Sequence, residues 1–190
     1  MTELAALLID LDGTLVDTAE ANFAAYAAAL AEVGVEVDRE TFDRLSAGKP
    51  WRQFLPGMLA GVAADPAAVA SRKRAIYPTM TSRTRVNPPV LALARMARAT
   101  LKLALVTTAS RSGVSAVLAA HDLESLFDAV VTGEDVAEAK PAPEAYLLAA
   151  ERLGVAPSAC LAIEDSDIGC ESAGRAGMMV LRIRTQASAD

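Results

Sequence analysis

Two aspartates separated by one residue follow a short apolar run near the start of the chain. The run covers residues 4–9, the aspartates are Asp10 and Asp12, and Gly13 follows them. Such a run before a turn signal is typical of a buried strand in a parallel sheet, whose ligands bind beyond the carboxyl ends of the strands. Two carboxylates this close repel each other unless a cation or a shared proton relieves them. The stretch therefore predicts a site for Mg²⁺ and phosphate, since Mg²⁺ is commonly held by carboxylates together with phosphate oxygens.

Further polar residues follow predicted strands later in the chain. Thr107 and Thr108 follow one apolar run, Glu164 and Asp165 follow another, and Lys140 precedes a Pro-Ala-Pro segment. Taken alone, Thr107 is equally consistent with a strand-end residue whose hydroxyl bonds to the backbone. Lys140 taken alone is equally consistent with a surface lysine. Together these groups match what phosphoryl transfer requires, which is a nucleophile, a proton donor, a cation and hydrogen-bond donors for the phosphate oxygens.

The elements that must position these residues alternate between strand and helix. This alternation predicts an α/β fold with a Rossmann-like parallel sheet and right-handed crossovers. The predicted strands cover residues 4–9, 101–106, 129–132, 159–163 and 178–183.

A helical block interrupts this alternation directly after the first strand, and nothing from residue 20 to about residue 86 resembles a strand. Gly34 is expected to end a helix, Asp38 and Asp65 to cap the next ones, and Pro56 to kink or break the helix in which it lies. The sequence thus predicts a core of residues 1–16 and 87–190 with an inserted helical cap of residues 17–86.

Composition excludes several classes of protein. The 190 residues carry a net charge of −6 and no basic run, which argues against binding to nucleic acid or to anionic membranes. No apolar run approaches the roughly 18 residues that a membrane-spanning helix needs. Cys160 and Cys170 lack a CxxC spacing and are expected to be free thiols. With no secretory signal at the N-terminus, we expect a cytoplasmic protein.

The segment Asp-Leu-Asp-Gly-Thr-Leu-Val-Asp-Thr at residues 10–18 resembles the first motif of the haloacid dehalogenase (HAD) superfamily, which consists mostly of Mg²⁺-dependent phosphatases. The segments around Thr107, Lys140 and Glu164 resemble the later motifs of the family and follow in its order. Together they span residues 10–167, most of the chain.

The resemblance implies a role for each residue of the first two motifs. Asp10 would be the nucleophile that forms an aspartyl-phosphate, and Asp12 would protonate the leaving alcohol and then activate water. The backbone carbonyl of Asp12 would also face the metal. Gly13 would let the backbone approach the phosphate, which Thr107 would bind through its hydroxyl and Thr108 through the backbone.

The later motifs complete the implied site. Lys140 would bind the phosphate and neutralise the charge of the nucleophile, and Glu164 and Asp165 would position Mg²⁺. The implied metal-binding residues are therefore Asp10, Asp12, Glu164 and Asp165.

The helical insert resembles the small α-helical cap of the phosphoglycolate-phosphatase and β-phosphoglucomutase branch. The mutases carry a histidine where this chain has Asn22, which disfavours the mutase activity. The loop of residues 48–52, Gly-Lys-Pro-Trp-Arg, falls where caps of this family dip towards the active site. Lys49 and Arg52 are candidates to bind an anionic substrate group and Trp51 to stack on it, the alternative being solvated charges and a buried cap aromatic.

The resulting hypothesis is a phosphatase that acts on small phosphorylated metabolites, of sugar phosphate or phosphoglycolate type. The first alternative is a phosphomutase of the β-phosphoglucomutase type. The alternative from another class is a catalytically silent phosphate-binding or signalling protein. Relatives usually continue beyond the last predicted strand, so we expect a less covered sheet edge and a monomer or weak homodimer.

Overall fold

A computed structural model describes residues 3–47 and 49–184, so Gly48 of the predicted substrate loop lies outside the described residues. The chain divides into two compact units, one made of the residues up to Asp17 and those from Arg85 onward, the other of Thr18–Thr84. Among the described residues, no helix is both long enough and apolar enough to cross a bilayer.

The first unit is built on a five-stranded parallel sheet, which confirms the predicted α/β fold. Numbered along the chain, its strands are β1 (Ala6–Ile9), β4 (Lys102–Val106), β5 (Ala129–Val131), β6 (Cys160–Glu164) and β7 (Met179–Arg182). They lie in the order β5-β4-β1-β6-β7, with β1 in the centre. The helices of this unit are α5 (Pro88–Ala97), α6 (Arg111–Ala120), α7 (Glu144–Leu153) and α8 (Asp167–Arg175).

The apolar side chains of the sheet bury against these helices. Leu8 and Ala162, from adjacent strands, are fully buried in one cluster with Tyr146 and Ala149 of α7. Gly154 ends α7 in the left-handed conformation at φ +65°, which glycine adopts readily at the end of a helix. Cys160 and Cys170 are both free cysteines, as expected.

A short antiparallel pair that the sequence did not predict also belongs to this unit. It consists of β2 (Val16–Asp17) and β3 (Arg85–Val86), in which Val16 pairs with Val86. Two residues are too few to produce an alternating pattern, so the expectation of no strand from residue 20 to about residue 86 was wrong at Arg85–Val86.

The second unit is helical and contains no strand in its described residues, 18–47 and 49–84. Its helices are α1 (Ala19–Ala31), α2 (Arg39–Ser46), α3 (Trp51–Met58) and α4 (Pro66–Ile76), followed by a 3₁₀ segment, Tyr77–Arg83. Tyr26, Phe42 and Phe54 pack in its core with ring centroids 5.2 to 5.9 Å apart.

Capping side chains set the starts of two helices in this unit. The side chains of Asp38 and Asp65 accept hydrogen bonds from backbone N–H groups at the starts of α2 and α4, as predicted. Pro56, however, does not break α3, which continues to Met58. Pro56 lies in the last turn, where its missing N–H removes a single backbone hydrogen bond and its fixed φ still suits a helix.

Candidate active site

The register of the central strands brings the predicted site residues to one edge of the sheet. Ile9 of β1 pairs with Leu105 of β4 on one side and with Ile163 of β6 on the other. Asp10 follows Ile9 and Glu164 follows Ile163. The two carboxylates therefore lie side by side at the carboxyl ends of neighbouring strands. The backbone N–H of Asp10 continues the ladder by donating to the carbonyl of Ile163 at 3.0 Å.

Lys140 lies at the centre of this edge, although it belongs to a loop rather than to a strand. Its ammonium donates to Asp10 Oδ1 at 2.7 Å, to Glu164 Oε1 at 2.6 Å and to the carbonyl of Val106 at 3.0 Å. Its side chain is only 3% exposed. Burial by itself would lower the pKa of Lys140, but the charges of Asp10 and Glu164 raise it above its ordinary value. Lys140 therefore stays charged.

Glu164 is fully buried and is held from several sides. Besides Lys140, its Oε1 accepts a hydrogen bond from the hydroxyl of Tyr146 at 2.6 Å, and Ser166 Oγ donates to Oε2 at 3.3 Å. Gly169 lies directly against the carboxyl group, since a Cβ at that position would stand 2.1 Å from its atoms. Burial, and then the charge of Glu164, raises the pKa of Tyr146 above its ordinary value, so the phenol keeps the proton that it donates.

Asp10, Glu164 and Asp165 form a carboxylate cluster that could hold a metal ion, with one ligand oxygen from each within 4.8 Å of the others. Lys140 brings one positive charge to these three carboxylates. Burial raises the pKa of Asp10 to about 7, opposed by Lys140 and reinforced by the charges of Glu164 and Asp12. A hard divalent cation that takes oxygen ligands would relieve the repulsion among these carboxylates, so the three carboxylates fit Mg²⁺.

Gly13 is required by the position of Asp165. Its φ is +83°, in the region that favours glycine, and a Cβ there would lie 2.3 Å from Asp165 Oδ2. Thr14 donates a hydrogen bond to the other oxygen of this carboxylate, Oδ1, at 3.3 Å. The first motif thus contacts the predicted metal-binding pair directly, across more than 150 residues of sequence.

Thr107 links the second motif to Asp12. Its hydroxyl donates to Asp12 Oδ2 at 3.1 Å and accepts from the backbone N–H of Ala109 at 3.0 Å. Thr107 is buried, whereas Thr108 is exposed. The side chain of Asp12 is not one of the three in the carboxylate cluster, and the contribution of its carbonyl to metal binding stays a prediction.

The remaining predicted residues, Lys49 and Arg52, belong to the helical unit. Both are exposed, and the guanidinium carbon of Arg52 lies 4.4 Å from the centroid of the Trp51 ring. Their predicted contact with substrate stays a prediction.

Sequence reasoning missed Tyr146 and Gly169, which both contact Glu164. A tyrosine on the apolar face of a helix looks like an ordinary core residue, and its hydroxyl partner depends on how α7 packs. Gly169 offered a weak signal, because a glycine in the first turn of α8 is unfavourable for a helix without a reason in packing.

The sequence pattern described as haloacid dehalogenase-like hydrolase matches residues 7–183. Fructose-1-phosphate phosphatase YqaB of Escherichia coli K12 is 32% identical over 95% of this chain and 96% of its own length. Protein CbbY of Rhodobacter capsulatus is 34% identical over 94% of this chain and 85% of its own. The crystal structure of a mutant CbbY from Rhodobacter sphaeroides with xylulose-(1,5)bisphosphate superimposes with a TM-score of 0.83 at 28% identity, covering 98% and 88% of the two chains.

The chain belongs to the haloacid dehalogenase-like hydrolases. Several of its relatives are named phosphatases, and it is a phosphoric monoester hydrolase of that family.

Proposed function

We propose that the protein is a Mg²⁺-dependent phosphatase that hydrolyses small sugar phosphates through a phosphoaspartyl intermediate on Asp10. The observation that carries this proposal is the buried ammonium of Lys140, which binds Asp10 and Glu164 at once. A carboxylate can attack an anionic phosphate only where positive charge offsets their repulsion, and this ammonium is placed to do so.

The reaction would proceed in two displacements. An oxygen of Asp10 attacks phosphorus, the bond from phosphorus to the bridging oxygen of the substrate breaks, and protonated Asp12 gives its proton to that oxygen, so an alcohol leaves. Asp12 then takes a proton from water as the water oxygen attacks phosphorus. The bond between phosphorus and Asp10 breaks, and inorganic phosphate leaves. Proton transfer by a positioned acid is worth about 10²–10⁴-fold in such steps.

The other site residues support these steps. The hydroxyl of Thr107, which donates to Asp12 Oδ2, is proposed to turn its proton to the phosphate when substrate binds, and the backbone N–H of Thr108 is proposed to bind the phosphate as well. Asp10, Glu164 and Asp165 would hold Mg²⁺ with the carbonyl of Asp12, and the cation would offset the charges of nucleophile and phosphate.

The substrate class is supported by the names of the relatives, which include a fructose-1-phosphate phosphatase and a protein crystallised with xylulose bisphosphate. We propose that residues 17–86 act as a cap on a core of residues 1–16 and 87–190, and that Lys49 and Arg52 bind an anionic group of the substrate. Replacing either cation with alanine is then expected to raise KM more than it lowers kcat.

The deciding experiment measures phosphate release from sugar phosphates, phosphoglycolate and nucleotides, with and without Mg²⁺. Wild-type protein is compared with Asp10→Asn and with a control, Asp122→Asn, at an exposed position with φ of 55° that asparagine tolerates. Release that requires Mg²⁺ and Asp10 but not Asp122 supports the proposal. Release that survives in Asp10→Asn contradicts it, and isomerisation of a hexose 1-phosphate without release would support the mutase instead.

A further inference from the structure

Tyr146 is a fully buried tyrosine whose hydroxyl points at the carboxylate cluster. The hydroxyl donates to Glu164 Oε1 at 2.6 Å, and the same oxygen accepts from the ammonium of Lys140, also at 2.6 Å. One carboxylate oxygen therefore receives two strong donors, a phenol and an ammonium.

The ring of Tyr146 contacts Lys140 as well. Lys140 Nζ lies 5.1 Å from the centroid of the ring, within the range in which a cation is attracted to the face of an aromatic ring. Tyr146 thus holds both partners of the buried Lys140–Glu164 pair, one through its hydroxyl and the other through its ring.

The other contacts of the Glu164 carboxyl group are weaker than those with Lys140 and Tyr146. On the far side, Gly169 leaves room for the group without binding it, and the hydrogen bond from Ser166 to Oε2 is long, at 3.3 Å. Because both strong donors meet at Oε1, that oxygen is held towards Lys140, and Oε2 is the oxygen left to serve as a ligand.

We propose that Tyr146 is a positioning residue, which turns Glu164 so that Oε1 binds Lys140 and Oε2 is presented to the metal ion. The inference rests on the proposed function, since it assigns Glu164 to the metal site. Without the phenol, the carboxyl group can rotate and share both oxygens with the ammonium. The metal ion then loses an oriented ligand, and the ammonium of Lys140 is held less firmly against Asp10.

Tyr146→Phe tests this proposal because it removes the hydroxyl and leaves the buried ring. The first measurement is the Mg²⁺ affinity by calorimetry without substrate. We expect the Kd to rise about tenfold, at the lower end of the range typical when the partner of a metal ligand is removed. At subsaturating Mg²⁺ kcat falls in the same proportion, saturating Mg²⁺ restores most of it, and KM for the sugar phosphate changes less than twofold.

Ser172→Ala is the matched control. Ser172 is also fully buried, on α8, and its hydroxyl donates to the carbonyl of Ala142 at 2.6 Å, so the variant loses a hydrogen bond of the same length. We expect it to lose a similar amount of thermal stability without a change in Mg²⁺ affinity.

The outcomes separate the two proposals. An unchanged Mg²⁺ affinity in Tyr146→Phe, or an equal loss in Ser172→Ala, overturns the positioning role and leaves Tyr146 as a packing residue. Wild-type protein that binds Mg²⁺ but releases no phosphate overturns the proposed function alone, because the calorimetric comparison still decides the role of Tyr146. Wild-type protein that binds no Mg²⁺ overturns both.

Discussion

The ammonium of Lys140 lies 2.7 Å from Asp10 Oδ1 although 130 residues separate the two in the sequence. This pair is almost completely buried and shares the ammonium with Glu164. It joins a loop after β5 to the end of β1, so the charge balance of the site depends on a contact between distant parts of the chain.

Lys140→Met removes the positive charge and leaves Asp10 and Glu164 buried without it. Breaking a buried pair by removing one partner destabilises a protein by about 3–5 kcal/mol, and we expect an effect of this size in urea unfolding without Mg²⁺. Activity should fall at least about 100-fold, since the charge lies where the proposed nucleophile, Asp10, would meet the phosphate. Lys102→Met is the control, because its ammonium donates to a backbone carbonyl, that of Leu153. Equal losses in the two variants would contradict the role of Lys140.

Gly13→Ala is expected to disturb the proposed metal site. Its Cβ would stand 2.3 Å from Asp165 Oδ2 at a φ of +83°, so both the carboxylate and the backbone must shift. Gly177→Ala is the control, because φ is +78° there and nothing lies within 4 Å of the new Cβ. Both variants should lose about 1 kcal/mol in unfolding experiments from the backbone term. Only Gly13→Ala should bind Mg²⁺ more weakly, and unchanged binding would refute the close approach.

Gly169→Ala and Gly174→Ala form a pair on one helix, α8. At Gly169 the new Cβ would lie 2.1 Å from the carboxyl group of Glu164, whereas at Gly174 nothing lies within 4 Å. Alanine favours a helix, so Gly174→Ala should be neutral or stabilise the protein by up to about 1 kcal/mol in thermal unfolding. Gly169→Ala should lower phosphate release at least about tenfold by displacing the proposed metal ligand Glu164. Full activity in that variant would show that Glu164 has room to move.

Asp135 gives a prediction about pH. Burial raises its pKa, but hydrogen bonds from Arg152, from Thr132 and from Arg111 outweigh this and hold the pKa well below its ordinary value. A carboxyl group with a lowered pKa in the folded state contributes stability above its ordinary pKa of 3.8, and that stability disappears as the pH falls through the lowered value.

Urea unfolding from pH 6 to pH 2 checks this expectation in wild-type protein and Asp135→Asn. The variant should be less stable by about 1–3 kcal/mol at pH 6, because the hydrogen bonds to Asp135 lose a charged acceptor. The difference should shrink as the pH falls below 3.8. A difference that stays constant over the whole range would show that the charge of Asp135 contributes nothing.

Much of the fold follows from local patterns. Apolar runs located the strands of the main sheet, and Asp38, Asp65 and Gly154 set helix ends that their own chemistry dictates. The short β2–β3 pair was not predicted, because a strand of two residues is too short to show a periodic pattern. At Pro56 the local rule predicted a kink or a break, but α3 continues to Met58. The proline lies in the last turn, where the lost hydrogen bond costs little.

The sequence by itself determined that Asp10, Asp12, Thr107 and Glu164 follow or end strands, because the length and polarity of each run are local properties. Only the tertiary structure decided which atoms meet. The parallel register sets Asp10 beside Glu164, and the packing of α7 aims the hydroxyl of Tyr146 at the oxygen that Lys140 also binds. Such contacts depend on the relative positions of whole elements, which arise from the burial of many side chains at once and not from any one stretch of residues.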